Sequence, residues 1–238
     1  MAAGPLIVIV GQTASGKSAM AMDLARKFNG EIICADSRTI YKYMDIGTAK
    51  PGKDEQSEVR HYLIDIMDLD KRFNASDFKK LASDSIGSIS AKGKVPFLVG
   101  GTGLYISSVI YDFRFDDYDD NKLRENTLLI GIKHDPEQLK TRIKHRVDKM
   151  IEAGLEAEVR NLADQYGFAA PGMNAICYKE WKDYFAGEQS LEETKQNLYK
   201  DNWQYARRQK TWFKRDKNIH WITSVREASV LAQQFLIQ

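Results

Sequence analysis

The sequence is poor in the residues that build metal centres, disulfide frameworks and membrane spans. Its 238 residues contain two cysteines, Cys34 and Cys177. That excludes a disulfide scaffold and fits a reducing cytoplasm. Four histidines, His61, His134, His145 and His220, show no metal-ligand spacing. No apolar run approaches the roughly 20 residues that a membrane helix needs. The longest, Leu6–Val10 and Val95–Val99, are strand-sized. No basic segment precedes the first apolar run and no small-residue cleavage site follows it, so no signal peptide is expected and a cytoplasmic location is. There is no Ser/His/Asp arrangement, no internal repeat and no low-complexity tract. Formal net charge is only +2, an average that decides nothing about nucleic acid until its distribution is inspected.

What is present is a β-α alternation. Leu6–Val10 is a continuous apolar, β-branched run stopped by Gly11, the pattern of a buried parallel strand. Lys17–Phe28 follows as an amphipathic helix with Met20, Leu24 and Phe28 at steps of four. Glu31–Cys34 reads as a second strand and Tyr62–Ile66 as a third. Asn74–Ala91 reads as a helix that buries Phe78, Leu81, Ala82, Ser85 and Ile89. Val95–Val99 is a strand, Leu104–Tyr111 a short helix and Thr127–Ile132 a strand. The fold class expected is α/β, a parallel sheet flanked by helices, which the glycine-bearing segment Gly11–Ser18 between the first strand and the first helix makes P-loop NTPase-like. Residues 1–134 form that core, with an exposed acidic connection at 112–126.

Residues 135–238 are expected to form a helical C-terminal part packed on the core. Asp135 is an N-cap followed by Pro136, opening a helix to Met150. Gly154 interrupts, and Leu155–Tyr166 continues. Ser190 with Glu193 makes a capping box for a long helix to Phe213. Ile219–Ile222 reads as a last strand and Val225–Leu236 as a closing helix.

Gly11-Gln12-Thr13-Ala14-Ser15-Gly16-Lys17-Ser18 matches G-x-x-x-x-G-K-[S/T], after a strand and before a helix. Glycines let the backbone wrap phosphate oxygens and turn N–H groups inward. The helix N-terminus adds its positive end. Lys17 supplies a point charge, and Ser18 can ligate Mg²⁺. The loop implies a bound di- or triphosphate without saying which. Asp36 ends the second strand, at the edge where α/β sheets bind ligands. It is a candidate metal ligand or general base. In Asp45–Pro51, Gly47 and Pro51 shape an unusual loop, and Thr48 and Lys50 offer a donor and a cation to an anion. In Gly100–Tyr105 the glycines permit close approach to a ligand, with Thr102 placed to hydrogen-bond.

Together, Gly11–Ser18, Asp36-Ser37…Tyr41, Asp45–Pro51 and Val99–Tyr105 closely resemble the tRNA dimethylallyltransferases. The resemblance continues through Arg142…Arg146…Met150…Gly154-Leu155…Glu158-Val159, Tyr178-Lys179-Glu180 and Gln204–Phe213, so it covers nearly the whole chain. It implies transfer of the five-carbon group of dimethylallyl diphosphate to the N6 amine of the adenosine immediately 3′ of the tRNA anticodon. On that reading Gly11–Ser18 hold the diphosphate. Lys17, Mg²⁺ near Ser18, and Arg142 (Arg146 as the alternative) stabilise the charge that grows on it. Asp36 resembles the general base and Thr102 a hydroxyl at the reacting centre. Ser37, Arg38 and Thr39 would touch the acceptor nucleotide, which must leave its stack. Lys50, Tyr178, Lys179, Arg207 and Arg208 are the further tRNA-binding candidates.

Between Lys195 and Lys217 eight bases stand against two acids, with Trp203, Tyr205, Trp212 and Phe213 interleaved. That is the footprint of an RNA surface. Trp212 and Phe213 are assigned to the core, and the arginines to phosphate contact. The chain departs from the family pattern twice. The helical insertion after the Gly100–Tyr105 segment, which grips the anticodon stem in the family, is missing. A glycine of the family is Cys177 here. Three alternatives follow: an adenylate isopentenyltransferase acting on free AMP, ADP or ATP, a P-loop small-metabolite kinase, and an RNA-binding protein without catalysis. A monomer is expected, since no exposed apolar helix face is evident.

Overall fold

The computed structural model describes residues 3–111 and 122–237. Six strands, all parallel among the described residues, form one sheet in the order β3-β2-β4-β1-β5-β6. In chain order, β1 is Leu6–Gly11, α1 Lys17–Lys27, β2 Gly30–Ala35, α2 Lys53–Glu58, β3 His61–Tyr62, α3 Ala75–Ala91, β4 Val95–Gly100, α4 Gly103–Ile110 and β5 Thr127–Ile132. Then come α5 Pro136–Glu152, α6 Leu155–Tyr166, α7 Lys182–Phe185, α8 Leu191–Phe213, β6 Ile219–Ile222 and α9 Val225–Ile237.

β1 is buried along its whole length because it is flanked on both edges and covered on both faces. Its side chains alternate. Leu6, Val8 and Val10 join α3 and α4 in one core layer, while Ile7 and Ile9 join α1 and α9 in the other. β1 lies where the connections diverge, towards β2 on one side and towards β5 on the other. The crevice at its carboxyl end is where such sheets bind ligands.

The helix starts follow the local chemistry. Asn74 accepts from Ser76 N and Asp77 N, and Asp135 accepts from Glu137 N and Gln138 N. Ser190 and Glu193 exchange hydrogen bonds as a capping box.

Four expectations are corrected. The third strand stops at Tyr62, because Leu63 (φ 62°) and Asp65 (φ 54°) turn into the left-handed region. Leu81 is exposed; it sits at the edge of the stripe Phe78, Ala82, Ser85, Ile86 and Ile89. Trp212 is 43% exposed, whereas Phe213 is buried in the core. The division at residue 134 does not separate two bodies. β6 pairs with β5 in the core sheet, and Ile40, Tyr41 and Met44 pack into the helical part's own core with Val147, Val159 and Trp181. The connection at 112–126 lies mostly outside the described residues.

Cys177 adopts φ 76°, a conformation that favours glycine.

Candidate active site

The phosphate loop leaves β1 at Gly11 and is closed by Ser15 N donating to Gln12 O at 3.2 Å. Ala14 (φ 60°) and Gly16 (φ 88°) turn it left-handed, and α1 starts at Lys17. The rest of the fold grips its outside. Gln209 of α8 accepts from Thr13 N at 2.7 Å and donates to Gly101 O at 3.1 Å. Gln12 Nε2 donates to Ala206 O at 2.9 Å, and Arg142 Nε to Ala14 O at 2.7 Å. His134 Nε2 lies 2.8 Å from Ser15 O.

Inside the loop opens a cleft of about 810 Å³. Thr13 through Ser18 line it, together with Arg142, Arg146 and Asp36. Gly11 and Gln12 shape the loop without lining the cleft. Lys17 Nζ is pulled back onto Gln12 O at 2.6 Å. Burial, then the charge of Arg146, push its ammonium down from 10.5 to about 7, against the opposing pull of Asp36. Ser15, Thr39 and Arg146 line this cleft, and their Oγ, Oγ1 and Nε atoms are buried with no hydrogen-bond partner among the described residues. A cleft lined by the start of α1 with Lys17, Arg142 and Arg146 fits an oxygen-rich anion.

A second cavity, of about 310 Å³, adjoins the first. Ser37, Arg38, Asn174, Lys179, Asn202 and Arg208 line it. Asp36, Thr13, Thr48, Arg146 and Tyr205 border both cavities. Asp36 Oδ1 accepts from Arg38 N at 2.8 Å, which holds the carboxylate at the junction. Thr102 Oγ1 accepts from Ser37 N at 3.1 Å and meets the Tyr205 hydroxyl. Burial and the Asp36 charge push Tyr205 up to about 12, so it stays a neutral hydroxyl. Thr102 therefore reaches the junction through Ser37 and Tyr205.

Several candidates are placed differently from expectation. Tyr178 is 0% exposed and donates to Glu158 Oε1 at 2.6 Å, so it is a packing residue and not an RNA contact. Lys50 is clamped between Asp45 (2.6 Å), Asp65 (2.5 Å) and Tyr41 O (3.0 Å), with its side chain 3% exposed, so its charge is spent inside the fold. Thr48 likewise donates to Met44 O at 2.6 Å. Thr39 faces the first cleft and not the second cavity. Lys179 borders the second cavity but is paired to Asp201 at 2.7 Å. Arg207 lies on an outer groove with Trp212 and Arg215; Arg208 borders both that groove and the second cavity. Gln209, Tyr205 and Glu158 stood in quoted motifs without a role. Their residue types alone carry no signal, since each acts through a partner 20 to 196 positions away.

Among the described residues no group of three His, Cys, Asp or Glu could hold a metal. Ser18 lines the cleft with a hard oxygen. That fits Mg²⁺, which takes few protein ligands and keeps water and substrate phosphates.

A phosphate loop opening on one cavity, a second cavity beside it and a carboxylate where they meet define a group-transfer enzyme on a P-loop α/β fold. The model of the IPP transferase family matches residues 39–127 and 116–216. A tRNA dimethylallyltransferase of Acetivibrio thermocellus is 38% identical, covering 91% of each chain. The solved tRNA isopentenylpyrophosphate transferase of Bacillus halodurans superposes with a TM-score of 0.91 at 32% identity, over 98% of this chain and 97% of that one. The Staphylococcus epidermidis structure gives 0.89 at 36% identity, over 99% and 100%. The chain belongs to the IPP transferase family. The Acetivibrio alignment runs over 284 positions, more than the 238 residues here, so that relative carries residues with no counterpart in this chain.

Proposed function

We propose that this protein transfers the dimethylallyl group from dimethylallyl diphosphate to the N6 amine of the adenosine 3′-adjacent to the anticodon of tRNA. One observation carries the reading. Asp36 stands where a diphosphate-type cleft meets a second cavity lined by Ser37, Arg38 and Arg208. The relatives' names supply the two substrates that such a pair of cavities would take.

The adenine N6 lone pair is delocalised into the ring and attacks poorly. A carboxylate that accepts its proton during attack contributes about 10²–10⁴-fold. In the proposed step N6 bonds to the allylic carbon, the carbon–oxygen bond to diphosphate breaks, and the N6 proton passes to Asp36. The leaving diphosphate gains negative charge, which Lys17, Arg142 and the loop N–H groups stabilise. Mg²⁺, held by Ser18 and the diphosphate oxygens, would supply further charge neutralisation.

The basic surface of α8 and of the residues just after it favours RNA over a free nucleotide as acceptor, because it runs on beyond the second cavity through Arg208 to Arg207 and Arg215. The test is to incubate the protein with labelled dimethylallyl diphosphate and, separately, unmodified tRNA, a bare anticodon stem-loop, AMP or ATP. Label in tRNA supports the proposal. Label only in free nucleotide overturns it in favour of an adenylate isopentenyltransferase, and ATP consumption without prenyl transfer makes the protein a kinase.

A further inference from the structure

The turn that follows Met44 is the partition between the two cavities. Asp45, Ile46 and Ala49 face the diphosphate cleft, Gly47 faces the second cavity, and Thr48 borders both. Internal bonds close the turn on itself, Thr48 Oγ1 to Met44 O and Lys50 N to Asp45 O at 3.0 Å. Its attachment to the helical part comes from α6. Glu158 Oε2 accepts from Asp45 N at 3.1 Å and Ile46 N at 2.8 Å, and Oε1 accepts from Gly47 N at 3.1 Å. The buried Tyr178 hydroxyl donates to the same Oε1 at 2.6 Å. Successive N–H groups converging on one anion form a nest, and hydrogen bonds to an ionised acceptor are about twice as strong as neutral ones. Tyr178 also backs the turn from below: a Cβ on Gly47 would lie 2.5 Å from its ring.

The consequence lies at the end of the turn. Thr48 O accepts from Arg146 Nη2 at 3.1 Å, while Arg146 Nε is buried without a partner among the described residues. Arg146 borders both cavities, and its charge acts on Lys17. The carbonyl that anchors one edge of this guanidinium is therefore itself anchored, through the turn, by one carboxylate.

We propose that Glu158 is a positioning residue: it fixes the Asp45–Thr48 turn so that the Thr48 carbonyl aims Arg146 into the diphosphate cleft. The inference rests on the reading of that cleft as the diphosphate site. Glu158 itself touches no substrate and acts only through Thr48 and Arg146.

The test is a double-mutant cycle on the full chain, with wild type, Glu158→Gln, Arg146→Ala and the double variant. Glutamine keeps the size but turns an amide donor towards N–H groups. Inorganic diphosphate affinity is measured by calorimetry, and dimethylallyl transfer to an anticodon stem-loop by label incorporation, both well below the melting temperature of every variant. Each single substitution is expected to weaken diphosphate binding about tenfold, the scale of one charged hydrogen bond. The double variant is expected to match Arg146→Ala within about twofold, because no guanidinium is left to aim. Losses that multiply in the double variant overturn the proposal, as does wild-type diphosphate affinity in Glu158→Gln. If Glu158→Gln does not fold, Tyr178→Phe removes one donor from the same carboxylate and enters the same cycle, with a loss of about threefold expected. A wild type that binds diphosphate without transferring the prenyl group refutes the functional reading alone; the affinity cycle still decides the role of Glu158.

Discussion

Diphosphate binding should weaken as pH rises above neutrality, and Lys17 is the reason. Burial and the neighbouring Arg146 lower its ammonium from 10.5 to about 7. At pH 6 about nine in ten of these side chains are charged, at pH 7 about half, and at pH 8 about one in ten. A diphosphate in the cleft sets negative oxygens against the ammonium and raises its pKa again, so binding takes up a proton. Apparent affinity should fall about tenfold between pH 6 and pH 8, or about 1.4 kcal/mol. At pH 7 about half a proton is taken up per site. Calorimetry at pH 6, 7 and 8, in two buffers of different ionisation enthalpy, measures both quantities. Lys17→Arg is the reference, because its guanidinium stays charged throughout and the titration of the diphosphate itself cancels in the comparison. Parallel pH profiles for the two proteins, or equal proton uptake, would refute the reasoning. Without ligand the sign for folding is opposite to that of an ion-paired lysine. The unfolded state holds the extra proton between pH 7 and 10.5, so this group makes the protein more stable as pH rises through that window.

Four further outcomes follow from the geometry. Asp36→Asn should lower kcat by about 10²–10⁴-fold while diphosphate affinity stays within about twofold; equal loss of both in kinetics and calorimetry would make Asp36 a metal or structural residue. Gly47→Ala puts a Cβ 2.5 Å from the Tyr178 ring and should cost about 1–3 kcal/mol in denaturant melts. Cys177→Gly should be more stable than Cys177→Ala by about 1 kcal/mol, because only glycine is unstrained at φ 76°; the reverse order would show that the strain is absent. Arg208→Ala should weaken tRNA binding and flatten its salt dependence by about one unit of slope without altering diphosphate affinity, and an unchanged slope would remove Arg208 from the RNA face.

The α/β core was legible because its signals are local. Leu6–Val10 and Val95–Val99 are apolar throughout since both faces of those strands are covered, and Gly16 is needed where the chain turns left-handed beside Lys17. Capping at Asn74, Asp135 and Ser190 is likewise decided within three residues. α2 was not legible. All six of its residues are charged or polar, none is buried, and so no apolar period marks it. In the site, Gly16, Lys17 and Asp36 could be placed because each stands at a strand end or helix start. Lys50 and Tyr178 could not. A lysine beside a phosphate cleft and a tyrosine in a basic region read as ligands until their partners are known. Asp65 and Tyr41 on one side, and Glu158 on the other, take up their polar atoms.

The sequence by itself determined the phosphate loop, most of the strands and helices, and the family. The loop and the elements rest on backbone needs or hydrophobic periods that span a few residues, and the family rests on the resemblance of motifs spread along nearly the whole chain. Only the tertiary structure decided which polar groups are spent inside the fold and which are left for a substrate. Gln209 reaches the phosphate loop from 196 positions away and Glu158 reaches the dividing turn from more than 100. A buried polar atom must be paired wherever its partner lies in the chain. Which side chains line the cleft, Lys17, Asp36, Arg142 and Arg146 among them, becomes visible only once every other pairing is known.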